Sequence, residues 1–152
     1  MQLNKHIKKS LKIIILLAFI GYVMVLAYLL FFSQYRNSVQ GIVAYNIIPF
    51  QSISRYLDNF NGFSFRLMTD NFFGNMLAFY PMGLLLPVLI KRLRNVFSMT
   101  GIAFTFSFLV ECLQFLFRLG AFDVDDMILN TTGAVVGYLT FTVGYKIYTG
   151  KK

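Results

Sequence analysis

The sequence predicts an all-α membrane protein with four transmembrane helices. Both termini are predicted to be cytoplasmic, and a short interfacial helix is predicted in the outer loop between the first two spans. Hydrophobic residues make up 57% of the 152 residues and charged residues only 13%, whereas soluble domains are about 45–50% apolar and about 25% charged. The apolar residues also form long runs with Lys and Arg at their ends. We expect residues 1–152 to form a single membrane domain.

Four apolar runs are long enough, at about 1.5 Å per helical residue, to cross a hydrocarbon core of about 30 Å. They span about residues 13–32, 72–90, 96–117 and 127–148. The second run contains Pro81 and Pro87, which membrane helices tolerate and which predict a kink. Between Gln51 and Phe60, apolar residues recur at helical spacing. This pattern predicts the interfacial helix, and it is equally typical of a surface helix packed on the bundle.

The basic residues predict the orientation. With the N-terminus inside, 10 of the 14 Lys and Arg residues face the cytoplasm and 4 face outward, as the positive-inside rule requires. The net charge of +8 lies in these clusters, with no basic face of interleaved aromatics, so nucleic-acid binding is not expected.

The single Cys112 lies in an apolar run and the single His6 in the basic tail. We therefore expect no disulfide framework and no metal site of the His or Cys type. A cation bound by carboxylates stays open, and no cofactor is expected.

Polar residues form stripes near the outer ends of predicted helices two, three and four when they are placed at about 100° per residue. The stripes contain Asn71 and Asn75 on helix two, Glu111, Gln114 and Arg118 on helix three, and Asp126 and Asn130 on helix four. Gly133 and Gly137 continue the last stripe inward, at a spacing that allows close helix packing. We therefore expect the stripes to face one another and to form an outward-facing ligand pocket.

Glu111 is the candidate catalytic residue because it is predicted to lie within the membrane. An acidic side chain at mid-membrane costs about 2.5–3.5 kcal/mol, so an unpaired Glu111 would be protonated or partnered. Gln114, one turn away, and Arg118, two turns away, are the expected partners. In the structural alternative, Glu111, Asn75 and Asn130 only clamp the bundle through hydrogen bonds between helices.

The order of these residues resembles the VanZ-like family. The shared pieces are residues 46–50 (NIIPF), Asn75 with Phe79-x-Pro81-x-Gly83, Glu111-x-x-Gln114, Arg118, and Asp123-x-Asp125-Asp126-x-x-x-Asn130-x-x-Gly133. The similarity covers about residues 40–145. It implies a multi-pass protein of the bacterial cell membrane, in a family named for a member associated with low-level teicoplanin resistance. For Asp123 and Asp125, capping of helix four is the favoured interpretation.

Three functions are compatible with these residues. The favoured one is a cell-envelope protein whose pocket binds a lipid headgroup, a lipid-linked wall precursor or a lipoglycopeptide, and which contributes to glycopeptide resistance. The first alternative is a membrane enzyme acting on a lipid-linked substrate with Glu111 as acid or base. No nucleophile or nearby His supports it, so we favour a non-enzymatic role. The second alternative is an ion or proton pathway along helix three. The oligomeric state and the ligand's identity stay open.

Overall fold

The computed structural model describes residues 5–33, 41, 44–58 and 72–150, and the described chain is mostly helical. In chain order its elements are α1 (Lys5–Phe31), β1 (Tyr45–Asn46), α2 (Gln51–Asp58), α3 (Gly74–Leu89), α4 (Val96–Leu116), β2 (Phe122–Asp123) and α5 (Val124–Thr149). Among the described residues, three helices are long and apolar enough to cross a membrane: α1 from Lys9, α4 and α5. The prediction of membrane-length helices is confirmed for these three.

Helix α3 is shorter than α1, α4 and α5. It has 16 residues, which is about 24 Å of helix, and it contains Pro81 and Pro87. Neighbouring elements supply donors to its carbonyl groups. The Tyr22 hydroxyl donates to the Ala78 carbonyl over 2.8 Å, and Nε of Arg94 donates to the Pro87 carbonyl over 2.9 Å. These bonds join α3 to its neighbours. They do not replace the bonds that the two prolines remove, whose acceptors are the carbonyls four residues earlier.

Two helices begin earlier than their apolar runs predict. Helix α1 begins at Lys5 rather than near residue 13, and α5 begins at Val124 rather than near residue 127. The predicted bounds follow hydropathy, whereas α5 begins where a side chain caps it. The Asp123 side chain accepts a hydrogen bond from the Asp125 backbone N–H over 2.8 Å, which satisfies one of the first-turn donors.

Helices α3 and α5 run parallel with their backbones in contact at glycines. A methyl group on Gly133 would overlap the carbonyl of Met76, and one on Gly137 would overlap the carbonyl of Tyr80. The third contact comes from α3 itself, where a methyl group on Gly83 would overlap the backbone of α5. Small residues allow this approach, which is typical of helix pairs in membranes. The role of Gly83 was not predicted from the sequence.

The apolar core lies between α1, α3, α4 and α5. Its buried residues include Leu26, Phe79, Met99, Ala103 and Ala134. Many large apolar side chains lie on the outside of the bundle, among them Phe97, which is 83% exposed, and Ile147, which is 77% exposed. An apolar exterior of this extent is unfavourable in water. It is ordinary for helices whose outer surface faces lipid.

A short segment crosses the end of the bundle where α5 begins. Strand β1 pairs in parallel with β2, so that Tyr45 lies opposite Phe122 and Asn46 opposite Asp123. Because β2 leads directly into α5, this pairing lays residues 44–53 against the first turn of α5. We call residues 44–53 the strap. The strap ends in the first turn of α2, an eight-residue helix within the stretch for which the sequence predicts an interfacial or surface helix. Residues 59–60 of that prediction lie outside the described residues.

Candidate functional site

Asp125 fastens the strap to α5. Its side chain is completely buried, and its carboxylate accepts hydrogen bonds from the backbone N–H groups of Phe50, Ser52 and Ile53 over 2.5, 2.6 and 3.2 Å. The first N–H groups of a helix lack partners within it and favour an anion. The Asp125 side chain therefore caps α2 rather than its own helix. Sequence reasoning missed this contact because Asp125 and Phe50 are 75 positions apart.

Asp123 binds the other side of the strap. Its Oδ1 accepts from Nδ2 of Asn46 over 3.0 Å, and its Oδ2 accepts from the Ser52 hydroxyl over 2.8 Å. Nδ2 of Asn46 also donates to Oγ of Ser52 over 3.0 Å. Asp123 thus performs two tasks, since it caps α5 as the sequence predicts and also anchors two side chains of the strap.

Glu111 lies below this junction and is only 2% exposed. Its Oε2 accepts a hydrogen bond from the Asp123 backbone N–H over 3.0 Å. Arg118, the charged partner expected from the helical stripe, has an exposed side chain. Helix α4 ends at Leu116 and Arg118 has a φ of 57°, so Arg118 is no longer on the helical face of Glu111. The structure therefore does not bring the Arg118 side chain into the buried group.

Two tiers of hydrogen bonds connect the helices beside Glu111. In the upper tier, Nδ2 of Asn75 donates to Oδ1 of Asp126 over 2.6 Å, joining α3 to α5. In the lower tier, Nδ2 of Asn130 donates to the Ser107 hydroxyl oxygen over 2.9 Å, joining α5 to α4. Asn130 lies one turn below Asp126, and Ser107 lies one turn below Glu111. We use the term polar cluster for Asn75, Ser107, Glu111, Asp126 and Asn130.

Gln114, another predicted site residue, lies apart from the polar cluster. Gln114 is only 1% exposed, and its Nε2 donates to the Leu30 carbonyl over 2.8 Å. This bond joins α4 to the end of α1, whereas the sequence suggested Glu111 as the partner of Gln114. Asn71 lies outside the described residues. Gly133 and Gly137 lie below the polar cluster, in the contact between α3 and α5.

The Asn130 amide is only partly satisfied. Its side chain is 2% exposed, and its Oδ1 has no hydrogen-bond partner among the described residues. A buried acceptor without a partner costs about 1–3 kcal/mol and is uncommon in native structures. A donor placed beside Asn130 would therefore be stabilised.

The polar cluster offers carboxylate and amide groups in a largely apolar bundle, which suits the binding of a ligand with hydrogen-bond donors. Within the part of the chain that the structure describes, no three His, Cys, Asp or Glu side chains are grouped to hold a metal ion.

Comparisons with known proteins agree with the residue pattern. The VanZ/LLP1 family matches residues 19–145, a range that includes the whole polar cluster. Protein VanZ of Enterococcus faecium is 34% identical over 89 residues, which are 59% of this chain and 52% of that protein. The match thus spans about half of the length of the relative. No solved structure matches the chain. Since the family match covers most of the sequence, this chain belongs to the VanZ/LLP1 family.

Proposed function

We propose that this chain is a multi-pass protein of the bacterial cell membrane whose polar cluster binds a polar group of a membrane-borne ligand. The ligand is a lipid headgroup, a lipid-linked wall precursor or a lipoglycopeptide, and its binding contributes to glycopeptide resistance of the teicoplanin type. Family membership supports a VanZ-like role, and the three long apolar helices support a membrane location.

The proposal includes four spans, α1, α3, α4 and α5, with both termini cytoplasmic. The glycine contacts support α3 as a span, because they place it beside α5 along several turns. Local thinning of the bilayer accommodates a helix of 16 residues. The distribution of Lys and Arg supports the orientation. In this arrangement the polar cluster and the strap lie at the outer face.

The observation that carries the proposal is the unpaired amide of Asn130. A hydroxyl, amide or ammonium group of a ligand is the donor that this buried acceptor lacks. The strap supplies an apolar surface at the same end of the bundle, since Tyr45, Ile47 and Phe50 are 72%, 63% and 60% exposed. Apolar side chains beside a polar cluster fit a ligand that combines a polar head with an acyl chain.

Asn130→Ala and Ser107→Ala together test the proposal. Both variants remove the hydrogen bond between α4 and α5, but only Asn130→Ala removes the unpaired group. In a glycopeptide-sensitive bacterium that expresses the chain, we expect Asn130→Ala to abolish teicoplanin resistance. Ser107→Ala, which leaves the unpaired Asn130 oxygen in place, should lower resistance only in part. The amount of protein in the membrane should be the same for both.

The clamp alternative gives different outcomes. If the hydrogen bond only holds the bundle together, the two variants lose accumulation or resistance to the same extent. That result would contradict ligand binding at Asn130. Glu111→Ala is expected to abolish resistance without loss of accumulation, because the buried Glu111 carboxylate belongs to the polar cluster that binds the ligand.

A further inference from the structure

The end of the bundle opposite to the polar cluster is strongly cationic. Its basic side chains are Lys9 and Lys12 on α1, Lys91, Arg92 and Arg94 between α3 and α4, and Lys146 on α5. We call these six residues the basic end. The sequence has no Asp or Glu in residues 1–57, 71–110 or 127–152. The segments that form this end therefore contain no carboxylate, and its charge requires counter-ions from outside the chain.

Arg94 differs from the exposed cations of this group because contacts to α3 and α5 hold its side chain. Its Nε donates to the Pro87 carbonyl over 2.9 Å. Its Cζ lies 4.6 Å from the ring centre of Tyr145 and 5.7 Å from that of Phe141. The two rings stack at 5.6 Å and 25° on α5. Cation–π contacts of this kind favour the charged guanidinium, so the side chain is fixed before any ligand arrives.

The terminal NH₂ groups of Arg94 are available to an anion. A guanidinium has five N–H donors, and only Nε has an acceptor among the described residues. Arg94 is half-buried, while Lys91 and Arg92 beside it are exposed. A fixed guanidinium fork matches the geometry of a phosphate group, and exposed lysines add charge without fixed geometry.

We propose that the basic end is a binding site for the phosphate headgroup of an anionic phospholipid, with Arg94 as its central residue. Charge complementarity selects this partner, because the segments of this end carry no carboxylate and lie at the edge of a membrane bundle. Basic pockets between membrane helices bind such headgroups. The site is separate from the polar cluster and does not depend on the ligand bound there.

Lipid titration of the purified full-length chain in neutral detergent tests the proposal. Native mass spectrometry would compare phosphatidylglycerol with phosphatidylcholine of the same acyl chains. We expect preferential binding of phosphatidylglycerol, weakened about five- to tenfold by Arg94→Gln. Arg118→Gln removes one exposed charge from the other end of the bundle and should leave binding unchanged within twofold. Equal loss in both variants would show diffuse attraction only and would overturn the proposal.

Inorganic phosphate distinguishes a lipid from a soluble anion. Millimolar phosphate should not displace phosphatidylglycerol, and full displacement would overturn the assignment to lipid.

Three further substitutions guard against simple misfolding of the Arg94→Gln variant. Tyr145→Phe keeps the ring beneath Arg94 and should bind phosphatidylglycerol as the unmodified chain does. Tyr145→Leu removes the ring and should weaken binding. Arg94→Lys keeps the charge but loses the fork, so it should also bind weakly. Unchanged binding in both Tyr145→Leu and Arg94→Lys would overturn the role of a fixed guanidinium.

Discussion

Asp125 accepts three backbone hydrogen bonds from the strap while standing in the first turn of α5. One of the donors, Phe50, has a φ of 67°, a left-handed conformation that is strained for a bulky residue. The carboxylate holds this conformation because it binds the N–H of Phe50 together with those of Ser52 and Ile53. A single side chain thus decides where the strap lies and how α2 begins.

Asp125→Asn replaces one acceptor oxygen with a donor that faces backbone N–H groups. We expect the free energy of unfolding to fall by about 1.5–3 kcal/mol, the usual contribution of a hydrogen bond to a charged group. Thermal unfolding in detergent would measure the loss, and hydrogen exchange at residues 50–53 would locate it. Thr132→Val is the control, because the exposed Thr132 hydroxyl bonds only within α5. Unchanged exchange in the strap would contradict the cap.

Among the helices, α3 and α5 form the closest pair. Their contact depends on the absence of side chains at Gly83, Gly133 and Gly137. The Gly133-x-x-x-Gly137 spacing predicts a packing face, but only the structure identifies α3 as the partner. The contact also aligns Asn75 of α3 with Asp126 of α5. Helix packing therefore positions part of the polar cluster.

Gly137→Ala should separate α3 from α5, because the added methyl group would overlap the Tyr80 carbonyl. We expect a loss of about 1–3 kcal/mol, as for other overpacked positions. Gly144→Ala lies on the same helix, where a methyl group would meet nothing within 4 Å. It should be neutral or slightly stabilising, since Ala favours a helix over Gly. Comparable melting temperatures for the two variants would argue against the contact.

At the scale of the whole molecule, the two ends of the bundle differ in charge. The end with the strap carries the four acidic residues Glu111, Asp123, Asp125 and Asp126, each of which accepts a hydrogen bond there. The opposite end carries the six cations of the basic end. This asymmetry agrees with the proposed orientation, in which the cationic end faces the cytoplasm.

Cysteine labelling tests both the orientation and the span of α3. In a Cys112→Ser background, Tyr45→Cys and Lys91→Cys place thiols at exposed positions before and after α3. A membrane-impermeant thiol reagent should label position 45 in intact cells, and position 91 only after permeabilisation. Labelling of both positions from the same side would contradict α3 as a span. A complete reversal would contradict the orientation.

Hydropathy and helical spacing by themselves determine the helical membrane class and the three long helices. They succeed because these properties depend on neighbours within a few turns of the same helix. The tertiary structure decides the partners. It assigns Asp125 to the strap, Gln114 to α1 and the Arg118 side chain to the surface, and it leaves one end of the Asn130 amide unpaired. These outcomes depend on where helices end and on contacts between distant segments, which no local pattern specifies.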